Sequence, residues 1–169
     1  MAQAYVSLGS NIEPHRHLCA CLQDLRRDFA NLHISSVYKS PAVGFVGEAF
    51  LNLVVGFTTE LTPDALSAYL HTLENRHGRI RTANKFAPRS LDADLLLYDQ
   101  LNLQPEHNLP HQDILTYPFV LYPLAEIAPT VIYPNTQQTI AELAQASTLS
   151  RAEMSPVSLN CAESIAIMR

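Results

Sequence analysis

Asp92 and Asp94 stand two apart at the head of an apolar run ending at Leu97-Tyr98, with Arg89 three residues upstream. In a strand, side chains two apart share one face, with Cα atoms roughly 6.5 Å apart. Two carboxylates converging there repel unless a cation lies between them. A hard divalent ion with oxygen ligands, Mg²⁺ above all, suits such a pair. Arg89 can address phosphate oxygens as a planar fork. Asp-x-Asp alone fits a polar strand start with solvated acids better than a site. The neighbourhood reverses that choice. Arg79, Arg81, Lys85 and Arg89 place four of the chain's 11 Lys and Arg residues between 79 and 89, with no acid among them. A metal and arginines together clamp polyphosphate, so the stretch reads as a Mg²⁺-phosphate site at a strand edge.

The surrounding elements must hold that site. Ala4 to Leu8 reads as a first strand running into the Gly9-Ser10-Asn11 turn. Pro14 opens a helix with Leu18, Leu22, Leu25 and Phe29 as its buried stripe. His33 to Ser40 and Phe50 to Thr59 read as second and third strands. The loop between them, Pro41 to Ala49, is either a lid or binding wall, or a segment that merely packs on the core. Thr62-Pro63-Asp64 caps a second helix, with Leu66, Tyr69, Leu70 and Leu73 inward and Gly78 as its stop. His71 and Glu74 lie one turn apart beside that stripe, as contacts for a ligand or as a solvated pair. Further on come a loop holding His111, a short apolar element from Phe119 to Pro129, a short strand Val131 to Tyr133 and a helix Thr139 to Ala146. Nothing from Ser147 onward carries a signal. His15 with Cys19, and His17 with Cys21, have soft-metal spacing. The two pairs point about 200° apart on a helix, and nothing completes either, so they read as exposed histidines and packed cysteines.

Composition narrows the partners. The 169 residues are 47% hydrophobic, enough for one cored domain, 1–169. A net charge of -5 argues against a nucleic-acid footprint. No run reaches membrane-spanning length, and the start of the chain has no signal-peptide pattern. Three cysteines without disulfide-like spacing fit a cytoplasmic protein.

Seven short motifs then occur in order. They are Leu8-Gly9-Ser10-Asn11, Tyr38-x-Ser40-Pro41, Phe50-Leu51-Asn52, Gly78-Arg79-x-Arg81, Pro88-Arg89-Ser90-Leu91-Asp92-x-Asp94, Pro110-His111 and Phe119-Val120-Leu121-x-Pro123-Leu124. As a set, over residues 4–135, the chain resembles 6-hydroxymethyl-7,8-dihydropterin pyrophosphokinase of folate biosynthesis. The resemblance implies an α+β, ferredoxin-like fold: a four-stranded antiparallel sheet backed by helices. The strand, helix, strand, strand, helix, strand order read over 4–98 agrees with it independently.

The resemblance also implies a Mg²⁺-dependent transfer of diphosphate from ATP to the pterin's hydroxymethyl group, by a monomer acting on small molecules. Asp92 and Asp94 would hold two Mg²⁺ ions. Arg79 and Arg89 would bind phosphates, with Arg81 a weaker candidate. His71, Glu74 and His111 would line the ATP site. The pterin would stack between Phe50 and Phe119, its polar edge read by Asn52 and the backbone around Ser40, Pro41 and Val43. Three places depart from the family pattern. Tyr117 stands where an arginine is common, Gly47-Glu48-Ala49 replaces Gln-Pro-Asp, and Phe86 replaces a frequent tryptophan. They keep open an alternative, a diverged pterin- and ATP-binding paralogue without transfer. Nucleotidyltransferases set Gly-Ser close to Asp-x-Asp, unlike Gly9-Ser10 and Asp92 here. Haloacid-dehalogenase-like phosphatases put Asp-x-Asp after the apolar run, not before it.

Overall fold

Alternation along the strands decides the architecture. The structure, a computed structural model, describes residues 1–78 and 90–161. Strand β1 spans Ala2–Ser10, β4 Phe50–Thr59 and β5 Asp92–Tyr98. Ala4, Val6 and Leu8 of β1 join Leu51, Leu53, Val55 and Phe57 of β4 in one core, which helices α1 (Pro14–Asp28) and α2 (Pro63–Arg76) cover. Tyr5, Val54 and Leu96 point the other way, into a second core with α3 (Asp113–Thr116), α4 (Pro118–Ile127) and α5 (Ile140–Ala146). Side chains of period two thus bury both faces of one sheet.

Strands β2 (Ala30–Ile34) and β3 (Val37–Ser40) both pair with β4, and β6 (Ser155–Val157) pairs with β3. The order is β5-β1-β4-β3-β6, and every pair is antiparallel. This is the expected ferredoxin-like α+β arrangement, with six strands in place of four. One extra strand arises where His33 to Ser40 was expected to run unbroken. Ser35 N donates to Val54 O and Ser35 Oγ accepts from Val54 N, both at 2.9 Å, so a side chain replaces a backbone acceptor and splits the strand. The other extra strand is the tail. The short strand expected at Val131 to Tyr133 is a single bridge, Ile132 to Thr139.

The helix ends follow their local chemistry. Thr62 Oγ1 accepts from Ala65 N at 3.2 Å, and Gly78 takes the left-handed φ of 72° that ends α2. Thr139 and Glu142 form a reciprocal capping box for α5.

The cysteine reading needs correction. Cys19 of α1 is disulfide-bonded to Cys161, 142 residues away, and Asn160 N donates to His15 Nδ1 beside it. Cys21 is free and buried. His17 is not exposed but buried, its Nδ1 lying 2.9 Å from Nδ1 of His77, the residue that caps the C-terminal end of α2.

Candidate active site

The period-two rule puts Asp92 and Asp94 on the face that α3 and α4 cover, while Leu91 and Ala93 point into the other core. In register, Asp92 lies opposite Gly9 and Asp94 opposite Ser7 on β1. Gly9 lies opposite Asn52 on β4, and Asn52 opposite Tyr38 on β3. A polar row therefore crosses the sheet from Asp92 to Tyr38. Gly9 leaves room in that row: a Cβ there would stand 3.0 Å from Asn52 Oδ1.

Over the row lies a cavity of about 180 Å³. Phe50 and Asn52 of β4, with Ser40, Pro41 and Val43, form one side. Phe119, Tyr117 and Asp113 of the α3–α4 segment form another, and Asp92 and Asp94 close one end. All six residues expected to meet a flat heterocycle line this one space. Asn52 Nδ2 donates to Ser40 Oγ at 2.6 Å, which fixes the orientation of the amide. Phe45 meets Phe50 edge-on at 6.4 Å, and Asn11 Nδ2 donates to Glu48 O at 3.1 Å. The 41–49 loop is thus a wall of the cavity.

A second cavity, of about 250 Å³, opens on the far side of Asp94. Its walls are the first turns of α2, through His71, and the 103–111 loop with His107 and His111. Asp94 lines both cavities.

His111 is placed by β5, since its N–H donates to Leu96 O at 2.9 Å. Its Nδ1 accepts from Asp113 N at 3.1 Å, which in the neutral ring leaves the proton on Nε2 as a donor. Burial holds the imidazole pKa below its usual value, against the opposing pull of Asp113 and then Asp92. Donor atoms of Asp94, His111 and Asp113 lie within 4.8 Å of one another. With Asp92 lining the same cavity as Asp94 and Asp113, the carboxylates around this group suit a hard divalent cation.

Glu74 does not sit at a solvated helix edge. It is buried, and its Oε2 accepts from Ala93 N at 3.1 Å, bracing β5 between the two aspartates. Among the described residues, the walls of the second cavity include His71 but not Glu74. Arg79, Arg81, Lys85, Phe86 and Arg89 lie outside the described residues. Sequence reading missed Asp113, and it named Tyr117 only as a departure from the family pattern, not as a residue lining this cavity. The signal for Asp113 was His111-x-Asp113, a carboxylate next but one to a singled-out histidine.

Comparison with known proteins gives the family and the fold. Residues 5–129 match the profile of the family described as 7,8-dihydro-6-hydroxymethylpterin-pyrophosphokinase. A 2-amino-4-hydroxy-6-hydroxymethyldihydropteridine pyrophosphokinase of Haemophilus influenzae is 38% identical over 143 residues, covering 81% of this chain and 88% of the relative. Its counterpart of the same name in Aquifex aeolicus is 34% identical over 152 residues, covering 88% of this chain and 94% of the relative. A crystal structure of HPPK-DHPS in complex with substrates superposes with a TM-score of 0.65 at 12% identity, over 86% of this chain. Plasmodium falciparum HPPK-DHPS superposes with a TM-score of 0.64 at 13% identity. The chain spans 43% of each of those solved chains, and at such identities the likeness speaks for the fold alone.

Proposed function

The chain belongs to the 7,8-dihydro-6-hydroxymethylpterin-pyrophosphokinase family, and we propose that it uses the two cavities joined at Asp94 to pass diphosphate from ATP to the pterin alcohol. The heterocycle occupies the slot between Phe50 and Phe119, where a flat ring finds apolar faces and a polar rim. Asn52, oriented by Ser40, reads its hydrogen-bonding edge, with the backbone at Pro41 and Val43. ATP occupies the second cavity beside His71, and the Nε2–H of His111 donates to a phosphate oxygen.

The pterin hydroxyl oxygen attacks the β-phosphorus. The bond from that phosphorus to the α,β-bridging oxygen breaks, AMP leaves with the electron pair, and the hydroxyl proton is released to water. Asp92 and Asp94 would hold Mg²⁺, which when bound lowers the hydroxyl's pKa and offsets charge on the phosphates. Holding both reactants in line supplies much of the rate, by removing translational freedom before the reaction. Arg79 and Arg89 are proposed phosphate ligands, and Arg81 a secondary one. Glu74 acts from behind β5, keeping the two carboxylates at their spacing. The 41–49 loop excludes water from the slot.

The observation that carries this reading is that Asp94 belongs to both cavities at once. A coupled AMP-release assay on the purified chain tests it. AMP forms only when ATP, Mg²⁺ and the pterin alcohol are all present. Binding of both substrates without AMP would leave a binding protein instead.

A further inference from the structure

We propose that Tyr117 is a positioning residue for the pterin slot: its ring lies against that of Phe119 and sets the plane on which the heterocycle stacks. The proposal rests on the transferase reading above, and it concerns a residue that reading does not use.

The Tyr117 and Phe119 rings are nearly parallel, 15° apart, with centroids separated by 5.0 Å. That is offset stacking, which is favourable beyond the area it buries. Both rings line the same cavity. A ring stacked on one side has one face left, so the pair offers a ligand a single defined plane. Across the cavity Phe50 also has an aromatic neighbour, Phe45, but edge-on to it at 6.4 Å rather than stacked. Each slot aromatic therefore has an aromatic neighbour that limits its swing.

The backbone explains why the pair is stiff. Tyr117 is extended, with φ -119° and ψ 129°, and both ends α3 and precedes α4. Its N–H donates to Asp113 O at 3.0 Å. Its carbonyl accepts from Val120 N and Leu121 N, each at 3.1 Å. Pro118 between the two rings has its φ fixed by its own ring, and it stands at the start of α4, where its missing N–H costs nothing. With peptide groups held on both sides, the Tyr117 ring can move only about its side-chain torsions. The stack blocks Phe119 from turning into the space that Tyr117 fills.

The test compares wild type with Tyr117→Phe, which keeps a flat ring, and with Tyr117→Leu and Tyr117→Met, which do not. The dissociation constant of the pterin alcohol is measured with Mg²⁺ and a non-hydrolysable ATP analogue, together with KM for each substrate and Tm. Tyr117→Phe stays within twofold of wild type. Tyr117→Leu and Tyr117→Met raise the pterin dissociation constant and KM about fivefold, the scale of one aromatic pair, while the KM for ATP stays within twofold. A purely structural role would shift Tm and both KM values together. The inference is overturned if the aliphatic variants bind pterin like wild type, if the KM for ATP rises equally, or if Tyr117→Phe is as impaired as Tyr117→Leu. A wild-type chain that binds no pterin sinks the transferase reading and this inference with it. Wild-type binding matched by the aliphatic variants sinks this inference alone.

Discussion

Asn52 Nδ2 donates to Ser40 Oγ at 2.6 Å, tying β4 to β3 on the wall of the cavity proposed for the pterin. Both side chains are buried, so cutting the bond leaves a partner unsatisfied, at a cost of about 1–3 kcal/mol. Asn52→Ala is expected to raise the KM for the pterin at least tenfold and to leave the KM for ATP within twofold. Steady-state kinetics with each substrate varied in turn measures the split.

Glu74 carries a different kind of load. Its carboxylate accepts from Ala93 N between the two aspartates. Glu74→Gln keeps an acceptor oxygen and should lose little stability. Glu74→Ala leaves the Ala93 N–H buried without this acceptor and should cost about 2 kcal/mol in urea unfolding, with turnover falling as Asp92 and Asp94 lose their spacing.

The His17–His77 contact makes stability depend on pH. Burial first, then the neighbouring His17 ring, pulls the His77 pKa down to about 4, with Arg76 and Arg16 adding to the fall and Asp24 opposing it. Burial also lowers the His17 pKa, helped by Arg16 and opposed by Glu13. The unfolded chain takes up these protons near pH 6.5, before the folded chain does. Stability is therefore full above that pH and drains as the pH falls toward 4, by on the order of 3 kcal/mol for His77. Urea midpoints at pH 7.5, 6 and 5 should fall in that order, and His77→Leu should flatten the slope.

Reduction should loosen the fold without scrambling it. The Cys19–Cys161 bond closes a loop across a sequence separation of 142 residues, and cross-links over such loops stabilise by about 5 kcal/mol in the chain-entropy account. A thiol reductant should lower Tm by about 10–20 °C, and Cys161→Ser should show the lower Tm with or without reductant. Cys21 stays a thiol, because burial and then Asp24 push its pKa up to about 12, so it does not enter exchange.

Much of this molecule is legible without coordinates, for local reasons. Phe50 to Thr59 is bounded by a loop and a capping threonine, and it folds as a strand over those same residues. Asp92 and Asp94 share a face because the strand's period is two. What stayed hidden depends on distant partners. Ser35 splits a strand only because Val54 is opposite it. Cys161 is unremarkable until the tail crosses to α1. Glu74 follows Leu70 by one turn, so its spacing allowed a buried position, but nothing local says that Ala93 N waits there. Tyr117 read as a missing charge, and its stack on Phe119 depends on a turn whose shape the sequence does not spell out.

The central claim is that Asp94 serves both reactants at their meeting point. Asp94→Ala, assayed for AMP release at saturating ATP, Mg²⁺ and pterin, measures it most directly. Turnover should drop on the order of a thousandfold, while the pterin dissociation constant stays within threefold. Turnover within tenfold of wild type, or a loss confined to pterin binding, would contradict the account.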